Sequence, residues 1–522
     1  MAQESALIVQ DRPRLNPSTK GLAFKVFKGS FWTLVGQIVP LLVSFLATPF
    51  VIRLLGADGY GVLLLVVLIP GYCNFADLGM GIASTKFGSE AYAVGDTIKE
   101  AKLIRTAALI SLVTSAPIGI AIFVFSDSIA GAFNIPIHLH ANAVLALRLS
   151  SATFVINFLN SIFNTPQLTR LRMDLNSIVT AGFRIVGIVV TPVLLHFGAG
   201  IVGAVTVLML VSILTLGGHL YVSWRLLPPL FGMQIDKGSI RPLIKFGGAL
   251  ALSGIAAVFL VNAEKLVLTK VTNVQTLAYY SVAFTFANMA SMFGLAMGQS
   301  LLPAFTQLLG PEKRLELNSL FSRTVRINVF GLLPVLTVLC VVGRPFFNSW
   351  AGKDFGQEST WPFYVLLIGL FFNLNAYNSA GLLFAAGRTD IVAKLYWIQL
   401  FPYIALTAIL TAWLGAVGAA IAWSSRVTLE VFVYMWLARK YVGVRPNLTE
   451  QIPSFLIGLS ILLPSICIAI YWQEFSYWSI IVLTICIAFY LIVIWKKQLQ
   501  NDEKAWLASK AHQITDHFRS SN

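Results

Sequence analysis

Fourteen apolar runs of about 20 residues follow one another along this chain, separated by short polar segments. One run of that length is enough for an α-helix to cross the hydrocarbon core of a bilayer. Only 11% of the residues are charged, whereas a soluble domain carries about 25%. The sequence therefore predicts an all-α polytopic membrane protein with about 14 transmembrane helices. The runs lie near 30–52, 60–83, 106–126, 141–165, 177–196, 199–221, 246–263, 277–303, 327–347, 361–384, 395–414, 416–437, 453–472 and 478–495.

Basic residues concentrate in alternate connecting segments. With the N-terminus placed in the cytoplasm, 29 of the 37 Lys and Arg residues fall in cytoplasmic segments, and five fall in outer loops or, in the case of Arg344, at the outer end of a run. Cytoplasmic loops of membrane proteins are enriched in Lys and Arg, so the alternation predicts a plasma (inner) membrane protein with both termini cytoplasmic. Membrane orientation also accounts for the net charge of +15, and no nucleic-acid partner is expected.

Parts of the sequence recur with a common offset. Asn160-Ser161 and Arg170 reappear as Asn378-Ser379 and Arg388. This duplication predicts two six-helix lobes, and because six is even, both lobes enter the membrane in the same direction as a parallel repeat. The last two runs have no counterpart in the first lobe and form a C-terminal two-helix hairpin. The predicted segments are an N-terminal arm (1–29), an N-lobe (30–221), a cytoplasmic linker (222–245), a C-lobe (246–437), the hairpin (453–495) and a cytoplasmic tail (496–522).

Three arginines lie well inside predicted spans, away from the ends: Arg148, Arg184 and Arg426. An arginine at the centre of a bilayer costs about 2.5–3.5 kcal/mol even on insertion scales, so each needs a partner or a wet cavity. Arg426 and Glu430 are four residues apart and can pair on one helix face. Arg148 and Arg184 have no acidic residue within helical reach. Three alternatives remain for these two arginines: they line a cationic cavity, they extend to the membrane interface, or they pair with a residue of another helix.

Three carboxylates are the candidates for ion or proton coupling: Asp77, Glu264 and Glu430. Each also has a structural alternative. Asp77 can bond the backbone at a helix end next to Gly79, and Glu264 can form a local ion pair with Lys265.

Enzyme signatures are missing from the sequence. No outer loop has room for a catalytic domain, and no cluster of His, Cys and acidic residues has metal-ligand spacing. We therefore expect a protein that is not an enzyme and that has no cofactor and no metal site.

Five short motifs, in this order and spacing, resemble a known family. The chain is similar over residues 22–495 to the polysaccharide (O-antigen or exopolysaccharide type) flippases of the multidrug/oligosaccharidyl-lipid/polysaccharide exporter superfamily. The motifs are RLLGADGYG at Arg53–Gly61, FADLG at Phe75–Gly79, NAEKLVL at Asn262–Leu268, WAGKD at Trp350–Asp354 and AAGRT at Ala385–Thr389.

The resemblance implies two six-helix lobes around a central cavity. It also implies transport of a polyprenyl-diphosphate-linked oligosaccharide from the cytoplasmic to the outer leaflet, for lipopolysaccharide or exopolysaccharide synthesis. A polysaccharide polymerase is then a candidate partner, besides the membrane lipids. One physical point agrees with this: a diphosphate that crosses hydrocarbon needs cationic donors, which arginine supplies in a fixed fork.

Two other functions remain open from the sequence. The first is an ion-coupled multidrug or toxin exporter of the same superfamily, which would need cavity carboxylates for cationic drugs. The second is a polyprenyl-dependent membrane glycosyltransferase or polymerase, which would need a sizeable outer loop.

Overall fold

The computed structural model describes residues 17–471 except 233, 292–300, 302–303 and 445–447, and a few positions between 481 and 490. Most of the N-terminal arm, the last predicted span and the tail therefore lie outside the described residues. The described part is helical and contains no strand. Its helices are α1 (Pro17–Tyr72), α2 (Met80–Ala93), α3 (Thr97–Val124), α4 (Ser126–Ala132), α5 (Ile137–Phe163), α6 (Thr165–Thr169), α7 (Met173–His196), α8 (Gly200–Leu226), α9 (Lys237–Val271), α10 (Val274–Asn288), α11 (Arg314–Trp350), α12 (Lys353–Glu358), α13 (Thr360–Ala385), α14 (Thr389–Tyr441) and α15 (Leu448–Tyr471).

Within the described residues, eight helical segments are long and apolar enough to cross a membrane. Two of them are each interrupted by a glycine with non-helical backbone angles, Gly56 in α1 and Gly415 in α14. A continuous helix of 56 residues would be about 84 Å long, whereas the hydrocarbon core is about 30 Å thick. Each of these two helices therefore corresponds to two successive predicted spans. The protein is an all-α membrane protein, and the count of 14 spans stays a prediction.

Element boundaries recur along the chain with nearly the offset of the sequence repeat. Helix starts and glycine breaks of the first half have counterparts in the second half, so the order of elements repeats as the sequence does. The corresponding boundaries are Gly56 with the interval between Val271 and Val274, Thr97 with Arg314, Met173 with Thr389, and Gly198 with Gly415.

The chain forms two compact units, Met1–Val258 and Phe259–Asn522, and the boundary between them falls inside α9. The predicted linker, 222–245, thus belongs to the N-terminal unit. Arg105 at the start of α3 holds it there, donating hydrogen bonds of 2.8 Å to the Gln234 carbonyl and 2.7 Å to the Pro229 carbonyl.

A carboxylate caps the start of α9, outside the membrane. The Asp236 side chain accepts hydrogen bonds from the Ser239 hydroxyl and, at 3.0 Å, from the Gly238 amide. The bond from Ser239 is the main reason that the pKa of Asp236 lies below its usual range. The ionised carboxylate stabilises the positive end of the helix dipole.

Candidate functional site

The second predicted span, 60–83, is not one helix, and the prediction of a continuous span here was wrong. The helix that follows Gly56 ends at Tyr72, a 3₁₀ turn covers Asn74–Asp77, and α2 begins at Met80. Hydropathy measures how apolar a segment is and does not register a break in the backbone. Non-helical backbone at membrane depth is tolerated where protein buries it or where it lines a cavity.

Asp77 stabilises this break. Its carboxylate accepts hydrogen bonds from the backbone amides of Gly79 at 2.8 Å and Gly81 at 3.4 Å, two amides at the start of α2. The backbone at the break adopts left-handed angles: Leu78 has a φ of 50° and Gly79 has a φ of 67°. This is the backbone-bonding arrangement that the sequence left open as one of two alternatives for Asp77.

Another helix packs tightly against the break. Gly247 of α9 lies so close that a Cβ atom built on it would be 2.2 Å from the Leu78 carbonyl oxygen. Around this contact, Met80 of α2, Ile104 of α3 and Leu243 of α9 belong to one buried apolar cluster. The break is therefore held by packing as well as by Asp77.

Two cavities of the N-terminal unit meet at the break. One, of about 730 Å³, is lined by the end of α1, by the break and by α5, α7 and α8, and we call it the N-terminal cavity. The other, of about 720 Å³, extends along α2 past Lys86. Asp77 lines both. The polar residues that line the N-terminal cavity are Asn74, Asp77, Ser150, Thr153, Asn157, Asn160, Ser161, Asn164, Thr180, Arg184, Ser212, Thr215 and His219.

Arg184 lines the N-terminal cavity from α7, and its side chain is exposed. Asp77 lines the same cavity, so the structure brings together one of the predicted arginines and one of the predicted carboxylates. Arg148, on α5, lies outside this lining. Its Nε donates a hydrogen bond of 3.1 Å to the Ser126 hydroxyl, and its guanidinium lies over the ring of Phe123. Among the described residues, neither arginine forms an ion pair.

His219 is a polar residue of the cavity that the sequence did not single out. It is buried on α8, and its two ring nitrogens lie 3.1 Å from the Gln167 amide nitrogen and 3.2 Å from the Thr180 hydroxyl. In the sequence, a single histidine inside an apolar run does not indicate which residues it will contact.

In the C-terminal unit, Glu264 of α9 is fully buried. Its Oε2 accepts a hydrogen bond of 2.9 Å from the Tyr403 hydroxyl of α14. Lys265 donates instead to the Asn262 side chain, at 2.9 Å, and lies over the ring of Phe284. Glu264 is thus held by residues distant in sequence rather than by the neighbouring lysine.

Arg426 and Glu430 form the ion pair that their spacing predicts. The Arg426 Nη1 donates to Glu430 Oε2 at 3.0 Å, and the two side chains are only 11% and 9% exposed. The Arg426 guanidinium also lies 5.0 Å from the centre of the Tyr403 ring. Through Tyr403, the predicted residues Glu264, Arg426 and Glu430 form one buried cluster.

A buried ion pair in the N-terminal unit was missed by sequence reasoning. Glu100 of α3 is fully buried. Its two carboxylate oxygens accept hydrogen bonds from the two terminal nitrogens of Arg170, at 2.7 and 3.0 Å. The Thr169 hydroxyl donates a further bond of 3.1 Å, and Arg170 lies over the ring of Tyr92. The two charges are far apart in sequence and on different helices, so no local spacing connects them.

Known proteins include relatives of this chain in sequence and in fold. A family model described as "Polysaccharide biosynthesis protein" matches residues 26–309, more than half of the chain. The chain belongs to the polysaccharide biosynthesis protein family. The resemblance drawn from the five sequence motifs is thereby confirmed.

Individual relatives match most of this chain in sequence or in fold. A Shigella flexneri protein assigned as an O-antigen transporter is 23% identical over 429 residues, covering 81% of this chain and all of the relative. Among solved structures, the lipid II flippase MurJ in an inward closed conformation gives a TM-score of 0.66 at 16% identity, covering 89% of this chain and 97% of MurJ. An inward-facing multidrug resistance transporter of the MATE family and MOP superfamily gives 0.65 at 14% identity, covering 78% and 98%. The fold is similar to the folds of MurJ and of this MATE-family transporter.

Proposed function

We propose that this protein flips a polyprenyl-diphosphate-linked oligosaccharide from the cytoplasmic to the outer leaflet of the inner membrane. It does so by alternating access and supplies surface polysaccharide synthesis. A polymerase that extends the flipped oligosaccharide is the proposed partner. Both termini are placed in the cytoplasm on the strength of the charge alternation.

The observation that carries the proposal is Arg184 in the N-terminal cavity. An exposed guanidinium inside a membrane helix is costly unless water or an anion reaches it, and Arg184 has no ion-pair partner among the described residues. Phosphate oxygens match the fork of N–H donors that arginine presents. Arg148, which also has no carboxylate partner in the described part, is proposed as a second cationic contact on the route.

Arg426 has a different part in this proposal. Because Glu430 already holds one of its terminal nitrogens, Arg426 is only partly available to an anion. Glu264 and Glu430 are proposed for ion or proton coupling, since both are buried carboxylates of one cluster. Glu264 bonds Tyr403, and Glu430 bonds Arg426, which lies over the Tyr403 ring. Asp77 is proposed for the same role in the N-terminal cavity.

The test is polysaccharide export in cells whose own copy of the gene is deleted. Deletion is expected to leave the lipid-linked oligosaccharide on the cytoplasmic leaflet and to remove surface polysaccharide. The Arg184→Ala variant should fail to restore export at wild-type protein level, and Arg184→Lys should restore it in part, because lysine keeps the charge but not the fork. Full export by a chain carrying both Arg148→Ala and Arg184→Ala would refute the cationic route.

A multidrug exporter is the second candidate, favoured by the likeness to the MATE-family structure and by the buried carboxylates. The same deletion strain separates the two functions. Normal surface polysaccharide together with increased sensitivity to cationic drugs would support the exporter and contradict the flippase.

A further inference from the structure

The N-terminal cavity has a neutral polar region besides Arg184. Four asparagines line it: Asn74 in the 3₁₀ turn, Asn157 and Asn160 on α5, and Asn164 at the C-terminal end of that helix. The Asn160 Nδ2 donates a hydrogen bond of 3.1 Å to the Ser212 carbonyl and a longer one, of 3.4 Å, to the Asn157 Oδ1. Since a carbonyl oxygen can only accept, the bond to Ser212 fixes which way the Asn160 amide points.

Two acceptor atoms are left over in this region. The Oδ1 atoms of Asn160 and Asn164 are buried and have no hydrogen-bond donor among the described residues. An unpaired buried acceptor costs free energy unless a donor reaches it. Asn160 and Asn164 both line the cavity, so a ligand bound there can supply that donor.

The missing donor is not a phosphate. Phosphate oxygens at neutral pH are acceptors, so they would repel the two asparagine oxygens and would bind at Arg184 instead. Hydroxyl groups both donate and accept, as these amides do. The chemistry that matches the asparagines is a neutral ligand with several hydroxyls.

An apolar wall stands beside the asparagines. Phe154 and Phe158 of α5 line the same cavity, with ring centres 4.7 Å apart and ring planes at 75°. Aromatic walls with a few convergent polar groups are typical of small-molecule sites, and a cavity of about 730 Å³ falls within their usual size. A sugar ring offers both surfaces, hydroxyls at its edge and C–H groups on its face.

The duplicated lobe provides a comparison within the chain. Asn375 and Asn378 of α13 stand at the repeat-related positions of Asn157 and Asn160. Both are fully buried, and their amide atoms also have no hydrogen-bond partner among the described residues. The repeat thus preserves the residue type, whereas in the N-terminal unit the asparagines line a cavity that a ligand can enter.

We propose that Asn157, Asn160 and Asn164 bind a sugar of the oligosaccharide in the N-terminal cavity, while Arg184 binds phosphate. This division rests on the proposed function, because it assumes a substrate with both parts.

The experiment measures binding to the full chain in lipid nanodiscs with two probes. One probe is farnesyl diphosphate, a bare polyprenyl diphosphate, and the other is the lipid-linked oligosaccharide extracted from cells that lack this gene. Asn160→Ala and Asn164→Ala are each expected to weaken binding of the oligosaccharide lipid about three- to tenfold, the size of one neutral hydrogen bond. Both should leave farnesyl diphosphate binding unchanged. Arg184→Ala should weaken both probes by the same factor.

The matched control is Asn142→Ala, an exposed asparagine on the same helix that does not line the cavity. It should change neither affinity. If Asn160→Ala fails to fold, Asn157→Ala replaces it, because the Asn157 side chain is exposed and its loss leaves the packing intact.

The outcomes separate the two levels of the proposal. Unchanged oligosaccharide binding in the asparagine variants would refute sugar recognition and leave the flippase standing. An equal loss of both probes would also refute it, since that is what a cation held by the amides, or a packing defect, would cause. Failure of wild-type protein to bind either probe would refute the proposed function itself.

Discussion

Replacing Arg170 by alanine is expected to lower the free energy of unfolding by about 3–5 kcal/mol. Its partner Glu100 is fully buried and receives two bonds from the guanidinium, at 2.7 and 3.0 Å. Without Arg170 the carboxylate keeps only the Thr169 hydroxyl, and it becomes a buried charge with one neutral donor. The loss reflects this stranded charge more than the attraction between the two groups.

A second substitution tests that reason. Glu100→Gln removes the charge and keeps the shape, so adding it to Arg170→Ala should restore most of the lost stability. The double variant is expected to unfold within about 1–2 kcal/mol of the wild type, because a neutral amide with an imperfect partner costs that much. The double variant should therefore be about 2–3 kcal/mol more stable than Arg170→Ala alone.

Arg388 is the matched control, since it occupies the repeat-related position. It also lies over a tyrosine ring, that of Tyr441, but its partner Asp390 is 51% exposed and 3.4 Å away. Arg388→Ala should cost less than about 1 kcal/mol, as is usual for exposed pairs.

The assay is denaturant unfolding in detergent micelles, followed by tryptophan fluorescence and by circular dichroism at one protein concentration. Equal losses for Arg170→Ala and Arg388→Ala would refute the reasoning from burial. So would a double variant no more stable than Arg170→Ala alone.

Two further predictions follow from contacts elsewhere in the chain. Arg426→Ala should strand Glu430 and reduce the yield of folded protein, while Arg426→Ala combined with Glu430→Gln should recover it; equal yields for both variants in size-exclusion chromatography would contradict the pairing. Gly247→Ala should lower the unfolding temperature by several degrees, because the new Cβ would lie 2.2 Å from the Leu78 carbonyl, whereas Gly248→Ala next to it meets nothing within 4 Å and should unfold like the wild type.

The sequence predicted those features that depend on local spacing. The membrane class follows from the apolar runs, and the pair of Arg426 with Glu430 follows from one helical turn. The break at Asp77 had visible signals, an acidic residue followed by glycines in an apolar run, but hydropathy alone does not separate a broken helix from a continuous one. The partner of Glu264 could not be predicted, because Tyr403 reaches it from a different helix.

Long-range pairs were invisible for the same reason. Glu100 lies in α3 and Arg170 follows α6. In the sequence, each looks like an ordinary charged residue of a polar segment. Tertiary packing encloses the Glu100 carboxylate, whereas Asp390 in the second half stays exposed.

The single-glycine break at Gly56 also bears on how the protein enters the membrane during synthesis. Gly56 divides α1 into two helical arms. Because only this residue separates them, the second arm lies beside the bilayer once the first has crossed, and it would be unfavourable for the second arm to remain in water. Its apolar residues would stay hydrated at a cost of about 0.8 kcal/mol per CH₂ group. We therefore expect the two arms to insert together as a helical hairpin, and we expect a longer turn at Gly56 to uncouple that step from the finished fold.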